Sequence, residues 1–292
     1  MLNVQYSIFN VFPWKDELSE GIDHEEFCKS FFVQPDLFIR VRPLKRKLVT
    51  EKLQHAKIGF TTISETCLSL PNSTKIDEII ELDNEAVIQD YNSQQTGRFL
   101  SSALAPPGND KPVVWDCCAG SGGKSIMTHD INPNIDLIVS DVRDSILANL
   151  KKRFEKAGIK KYKSSIADLT HHSPPDSYRV TTHNYNLIIA DVPCTGSGTW
   201  SRTPEQLYFF EENEIEKYSS IQKKIVSNVI PALQTGGSLI YITCSVFKKE
   251  NEEVVAFIRE NFHLQLLQME VLKGYDRKAD SMFVAVLSLP KR

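Results

Sequence analysis

From Lys111 onward, short apolar runs alternate with longer amphipathic ones. Residues 112–116 (Pro-Val-Val-Trp-Asp) and 136–141 (Asp-Leu-Ile-Val-Ser-Asp) read as buried strands, and 122–131 as the helix between them. Residues 144–157 predict a second helix, with Ile146, Leu150 and Phe154 spaced at four and Gly158 closing it. Two further buried strands are predicted at 186–191 and 237–243, with a helix over 211–230 between them. A helix over 254–262 and a strand over 282–289 finish the chain. Strands alternating with helices predict an α/β fold: a Rossmann-like, mostly parallel sheet with helices on both faces. Such sheets bind ligands at the carboxyl ends of their strands.

Ahead of residue 105 the pattern changes. An amphipathic helix over 25–32 mixes with strand-like runs at 37–41 and 58–62, predicting a smaller α+β N-terminal subdomain. The run Ala-Pro-Pro-Gly-Asn-Asp at 105–110 is turn chemistry, so the expected division is 1–105 and 106–292. Residues 170–184, with three histidines and two prolines, read as a surface loop in which His171-His172 is no metal ligand pair.

Composition narrows the class. With 41% hydrophobic and 24% charged residues among 292, the chain has the balance of a soluble globular protein. No apolar stretch approaches the roughly 20 residues that cross a bilayer, and the first residues lack a secretory signal pattern. The six cysteines include no CxxC pair, which argues against a zinc site and a disulfide framework. A cytoplasmic monomer with no membrane contact and no metal is therefore expected. The net charge of −3 is not that of a general nucleic-acid binder, so RNA would need a local stripe. Arg40, Arg42, Lys45, Arg46, Lys47, Lys52 and Lys57 form one, either as a phosphate track or as a solvated helix face beside Leu44 and Leu48.

The strand ends carry the candidate chemistry. After the first comes Cys118-Ala119-Gly120-Ser121-Gly122-Gly123-Lys124-Ser125, a turn through which backbone can approach a ligand closely. A phosphate-binding P-loop would need glycine at position 118, and the glycines at 120, 122 and 123 do not make the dinucleotide G-x-G-x-x-G pattern. Asp141 ends the second strand about 20 residues on, where a carboxylate accepts from ribose hydroxyls. Asp168 follows the third strand, placed either to receive an adenine amino group or to cap the strand end. A glycine-rich but acidic site suits an adenosine without phosphates that carries a positive sulfonium, S-adenosylmethionine. The fourth and fifth strands end in Asp191-Val192-Pro193-Cys194 and Thr243-Cys244-Ser245, bringing an aspartate and two cysteines to one cleft.

With Glu250-Asn251-Glu252 just after, these runs resemble the Sun/Fmu-type (Nol/Nop/Sun) RNA cytosine-5 methyltransferase family. The similarity covers roughly residues 85 to 289 and includes Gln89-Asp90, Ser93-Gln94 and Arg202-x-Pro204-Glu205. It implies a class I methyltransferase sheet with Cys118 to Lys124, Asp141, Asp168 and Asp191 around the cofactor. It also implies that Cys244 attacks the base, Cys194 assists release and Asp191 holds the cytosine, with Arg202 joining Arg40, Arg42 and Lys45 on the RNA. DNA cytosine-5 methyltransferases use their Pro-Cys cysteine as nucleophile, which makes Cys194 the competing candidate. The family reaction explains the residue set. Carbon 5 of cytosine is a poor nucleophile until a thiolate adds to carbon 6 and an acid near N3 accommodates the charge. Ribosomal RNA is the first expected substrate and transfer RNA the second; DNA, or an inactive RNA-binding assembly factor, are the alternatives. The chain departs from the family in carrying Ser121 where members often have proline and Ser201 where many have the first arginine of a pair. The preceding helical and trailing RNA-binding domains of some larger members have no counterpart here, which is compatible with a different target.

Overall fold

The first strand of the larger sheet in chain order is only four residues long: Val113–Asp116, half-buried at its first residue and buried at the other three. In this computed structural model, which describes residues 11–104, 111–171 and 185–291, it is β5 in chain order. The expected linker at 105–110, the first ten residues and most of the 170–184 loop lie outside the described residues. After β5 come α4 (Gly123–Ile131), β6 (Asp136–Asp141), α5 (Asp144–Lys156), β7 (Tyr162–Ile166) and β8 (Tyr185–Asp191). The chain then runs through α6 (Asn213–Val229), β9 (Leu233–Thr243), α7 (Glu252–Phe262), β10 (Gln265–Leu272) and β11 (Met282–Ser288).

Seven strands lie in the order β10-β11-β9-β8-β5-β6-β7. β5 pairs in parallel with β6 on one side and β8 on the other, while β11 runs antiparallel between β9 and β10. From β5 the chain builds outward to β6 and β7, then returns to lay β8 and β9 on the opposite side. The strand order reverses between β5 and β8, which is where open α/β sheets hold ligands. Side chains alternate across the sheet: Leu187, Ile189, Ile240 and Ile242 pack with Ile126, Leu150 and Phe154 on one face. Ile188, Ala190, Leu239 and Tyr241 pack with Val226, Val229 and Ile258 on the other. The expected mostly parallel sheet is present, with one strand the apolar pattern did not reveal. β10 lies at the edge and most of it is exposed or half-buried, so its sequence lacks a continuous apolar run.

The preceding segment contains α1 (His24–Ser30), β1 (Leu37–Val41), α2 (Arg46–His55), β2 (Thr61–Thr62), β3 (Cys67–Leu70), β4 (Ala86–Ile88) and α3 (Tyr91–Ala103). Its strands form an antiparallel sheet, β2-β3-β1-β4, whose core is Ile39, Val41, Val49, Leu53, Leu68 and Leu70. Packing does not divide at residue 105. Phe99, Leu100 and Leu104 share a cluster with Ile126, Met127 and Val284, while Phe12 and Phe27 pack with Trp200 and Phe247.

Part of the basic stripe is structural, which corrects the RNA-binding expectation for Arg40 and Arg42. β1 turns Ile39 and Val41 into the small core and both arginines the other way, against α4. Asp130 receives Arg40 Nη1 and Arg42 Nη2, each at 2.6 Å, and the three side chains are 7%, 11% and 6% exposed. Arg42 also donates to the Asp83 and Ala157 carbonyls, and Arg40 Nε to Gln89. Neither guanidinium is available to a phosphate. Lys52 pairs with Glu85, Lys45 is half-buried, and Leu44 is fully exposed in a left-handed turn outside α2. Asp130→Ala should destabilise the protein by about 3–5 kcal/mol, because two buried guanidiniums lose their counter-charge. A denaturant midpoint unchanged from wild type would contradict that role. Among the described residues no helix is long and apolar enough to cross a membrane.

Candidate active site

The turn after β5 passes two residues in the left-handed region, Gly120 (φ +52°) and Gly122 (φ +86°). At Gly122 space is limiting as well: a Cβ would stand 2.7 Å from the Phe154 ring and 3.0 Å from Leu150 Cγ. Glycine there lets α4 start close against α5. The Gly120 N–H donates to Asp141 Oδ2 at 2.9 Å, joining the turn to the end of β6. Burial pushes the Asp141 carboxyl pKa up, but hydrogen bonds from the Arg143 side chain and backbone and from Gly120 outweigh it, leaving it below the usual range.

These loops open onto a cavity of about 740 Å³, within the range that encloses a nucleoside-sized ligand. Its walls bring together most of the expected site: Cys118 to Ser121, Gly123, Lys124, Asp141, Asp168, Asp191, Cys194 and Cys244. Gly122 lies behind the wall. Asp168 is at the rim and 44% exposed, accepting from the Thr170 N–H and hydroxyl and facing His171, and the Thr170 hydrogen bonds hold its pKa low. It therefore caps its own loop while lining the cavity.

Lys124 is buried on the first turn of α4, and its ammonium meets Asp191 Oδ2 at 2.6 Å. Desolvation alone would lower its pKa; the Asp191 charge and hydrogen bond more than compensate, so the ammonium persists. Beyond this pair, the Cys194 and Cys244 sulfurs are 3.2 Å apart, both free and half-buried. The hydrogen bond with Cys244, followed by burial, pushes the Cys194 thiol well above its ordinary value.

Gly198 permits that approach. Its N–H donates to the Cys244 carbonyl at 2.8 Å and its carbonyl accepts from Ser281 N–H at 2.8 Å, while a Cβ would lie 2.1 Å from Ser281 O. The loop after β8 thus docks, backbone to backbone, on the loop after β9.

Arg202 was expected on RNA; instead its three donor nitrogens are committed within the protein. Nε reaches Asp280 at 2.6 Å, Nη2 reaches Asp90 at 2.7 Å, and Nη1 donates to the Asp36 carbonyl. Two carboxylates compete for one guanidinium, and burial first, then Asp90, pushes the Asp280 carboxyl up to about 7. Asp280 also lines the cavity, a placement that sequence reasoning missed. The nearby Gln89-Asp90 motif was visible, but the Arg202 and Asp280 partners of Asp90 are 112 and 190 residues away. Also missed was a run of exposed lysines at 151, 152, 156, 160, 161 and 163, none ion-paired among the described residues. Their density along the sequence was the available signal. Among the described residues no group of three or more His, Cys, Asp or Glu side chains is placed to hold a metal.

Residues 101–291 match the family model described as 16S rRNA methyltransferase RsmB/F. The probable ribosomal RNA small subunit methyltransferase B of Bacillus subtilis (strain 168) is 26% identical over 247 residues, 81% of this chain and 52% of that protein. Ribosomal RNA small subunit methyltransferase F of Shewanella loihica is 27% identical over 206 residues, 68% of this chain and 41% of that protein. The chain thus spans about half the length, or less, of the curated relatives it matches. In fold it is similar to NSun6 from Pyrococcus horikoshii, solved with SFG, at a TM-score of 0.77 and 14% identity over 100% of this chain and 99% of that one. A methyltransferase homolog protein from Pyrococcus horikoshii superposes with a TM-score of 0.74 at 19% identity, covering 94% of this chain and 92% of that one.

Proposed function

The chain belongs to the 16S rRNA methyltransferase RsmB/F family, and on that footing we propose that it transfers a methyl group from S-adenosylmethionine to carbon 5 of a cytosine in RNA. The observation that carries this reading is the pair of sulfurs 3.2 Å apart in the cavity that also holds Asp141 and the Lys124–Asp191 pair. An RNA-binding scaffold would have no use for two free cysteines in contact.

The residues suit the cofactor. Asp141, anchored by the glycine turn, presents a carboxylate for ribose hydroxyls, and the cavity's acids match a cationic ligand without phosphates. When bound, S-adenosylmethionine supplies an electrophilic methyl group. The chain's own residues do the rest. The Cys244 thiolate adds to carbon 6 of cytosine, forming a carbon–sulfur bond and pushing the ring's double-bond electrons toward carbon 5 and N3. As the thiolate adds, N3 takes up a proton from the Lys124 ammonium through Asp191, 2.6 Å away, and gives it back when the sulfur departs. Once carbon 5 carries the methyl group, a base in the cavity takes its proton, the double bond re-forms and the Cys244 sulfur departs as thiolate. Cys194, in contact with that sulfur, assists the departure.

Ribosomal RNA is the first substrate class, in keeping with the names of the curated relatives, and transfer RNA the second. Bisulfite mapping of both RNAs from cells with and without the protein tests the reading; no cytosine changing its methylation would defeat it. With Arg40, Arg42 and Arg202 committed internally, the exposed lysines at 151–163 are the better track for RNA phosphates. Charge reversal at Lys151, Lys156 and Lys160 should weaken RNA binding and reduce its log–log salt slope by about 1 per lost phosphate contact. Equal affinity and slope in that variant would return these lysines to the role of a solvated face.

A further inference from the structure

Directly before α7 lies a carboxylate that the reaction as written does not use. Glu250 is 0% exposed and receives four hydrogen bonds. Its Oε1 accepts from the Thr195 hydroxyl at 2.6 Å and the Ser245 hydroxyl at 2.5 Å. Its Oε2 accepts from the Thr195 N–H and the Gln222 side-chain amide, each at 2.9 Å. Thr195 directly follows Cys194 and Ser245 directly follows Cys244, so the residue next to each sulfur is tied to the same carboxyl group. Ser197 Oγ bridges the same two side chains, 3.2 Å from Thr195 Oγ1 and 3.2 Å from Ser245 Oγ. Next along the chain, Asn251 accepts from the Thr243 hydroxyl and donates to the Ser245 carbonyl, fixing the far side of the second loop.

Burial pushes the Glu250 carboxyl pKa up while hydrogen bonds from Ser245, Thr195 and Gln222 pull against the shift, and four donors are about what two ionised oxygens can take. Cheaper ways exist to join two loops, so the charge calls for a reason. We propose that Glu250 is the positioning residue of this site, the single buried carboxylate that holds the loops after β8 and β9 in register so that Cys194 and Cys244 meet on one cytosine. This rests on the reading of those cysteines as the reacting pair.

The charge also makes the two sulfurs unequal. Cys194 is faced by Cys244, Glu250, Tyr218 and Tyr241; the Tyr241 hydroxyl is itself occupied, donating to the Glu250 carbonyl at 2.6 Å. No cation is among them. Lys124, by contrast, is stabilised by Asp191 and by negative charge on Cys244. The contact with Cys244 and the anion beside it favour a proton on Cys194, while the ammonium stands on the Cys244 side. Cys194 then donates a hydrogen bond to the Cys244 sulfur as a thiol, both before attack and as that sulfur leaves.

Glu250→Gln is the informative variant, because it keeps the shape and one acceptor while removing the charge and turning an NH2 toward the Thr195 N–H. In the full chain, three quantities are compared with wild type: S-adenosylhomocysteine affinity, the rate of Cys194–Cys244 disulfide formation under oxidised glutathione by peptide mapping, and the pH profile of Cys194 alkylation in a Cys244→Ser background. The expected result is unchanged affinity, disulfide formation slowed about ten-fold, and an alkylation profile displaced to lower pH, with neutral-pH alkylation about ten-fold faster for a one-unit displacement. Glu250→Asp, which keeps the charge, should restore the alkylation profile. A disulfide rate and an alkylation profile both like wild type in Glu250→Gln would overturn the proposal. So would loss of cofactor affinity together with the register, since the residue would then be holding the whole fold. These readouts need no turnover: if they come out as expected while no RNA is methylated, the positioning role stands and the methyltransferase reading fails.

Discussion

Cys244→Ala is expected to abolish methyl transfer while leaving S-adenosylmethionine binding intact. Cys244 follows the last residue of β9 and lines the cavity, in contact with Cys194 and near the Lys124 ammonium. Without a sulfur to add at carbon 6, carbon 5 has no electron density to offer a methyl sulfonium. Loss of a nucleophile costs on the order of 10⁴-fold or more in rate, and alanine supplies no substitute. The fold should tolerate the change, because a half-buried thiol is traded for a smaller apolar group. Labelled methyl transfer and calorimetric titration of S-adenosylhomocysteine read the two effects separately. Should Cys244→Ala retain full activity while Cys194→Ala loses it, the nucleophile is Cys194 and the roles drawn from the charge pattern are reversed.

Cys194→Ala should have the opposite signature: attack proceeds, release fails, and a covalent protein–RNA adduct accumulates. The 3.2 Å contact is the reason. A thiolate leaves carbon 6 more readily when a neighbouring S–H donates to it, and burial together with the Cys244 contact keeps Cys194 in its protonated form. The sign is clear: a thiol pKa raised above its ordinary value means the proton is held throughout the neutral range. Denaturing gels should show a slower-migrating, ribonuclease-sensitive band in Cys194→Ala, and no such band in the double variant with Cys244→Ala. Normal turnover without a band would remove Cys194 from the release step. A band that persists in the double variant would mean that another nucleophile forms it.

Fold and site were legible in the sequence to different depths. Buried parallel strands need apolar residues on both faces, so 112–116, 136–141 and 186–191 stood out as runs, and the glycine turn, Asp141, Asp191, Cys194 and Cys244 followed as C-terminal neighbours of these and the next strand. What those runs could not convey is pairing across the chain. Arg40, Arg42 and Arg202 looked like an RNA surface because a charged residue in a string carries no sign of its partner. Asp130 lies 88 to 90 residues from the first two, and Asp280 lies 78 from the third. The exposed edge strand β10 was hidden for another reason, since Gln268 and Glu270 interrupt its apolar residues and leave no continuous run.

By itself, then, the sequence determined a mostly parallel sheet, the succession of its main strands along the chain and the short list of reactive side chains, because local hydrophobic pattern and residue chemistry are written position by position. Only the tertiary structure decided which charges are neutralised, that the two sulfurs touch, and that Glu250 lies beneath them both. Those are distances between residues far apart in the chain, set by how two strand-end loops dock through Gly198 and a shared buried carboxylate.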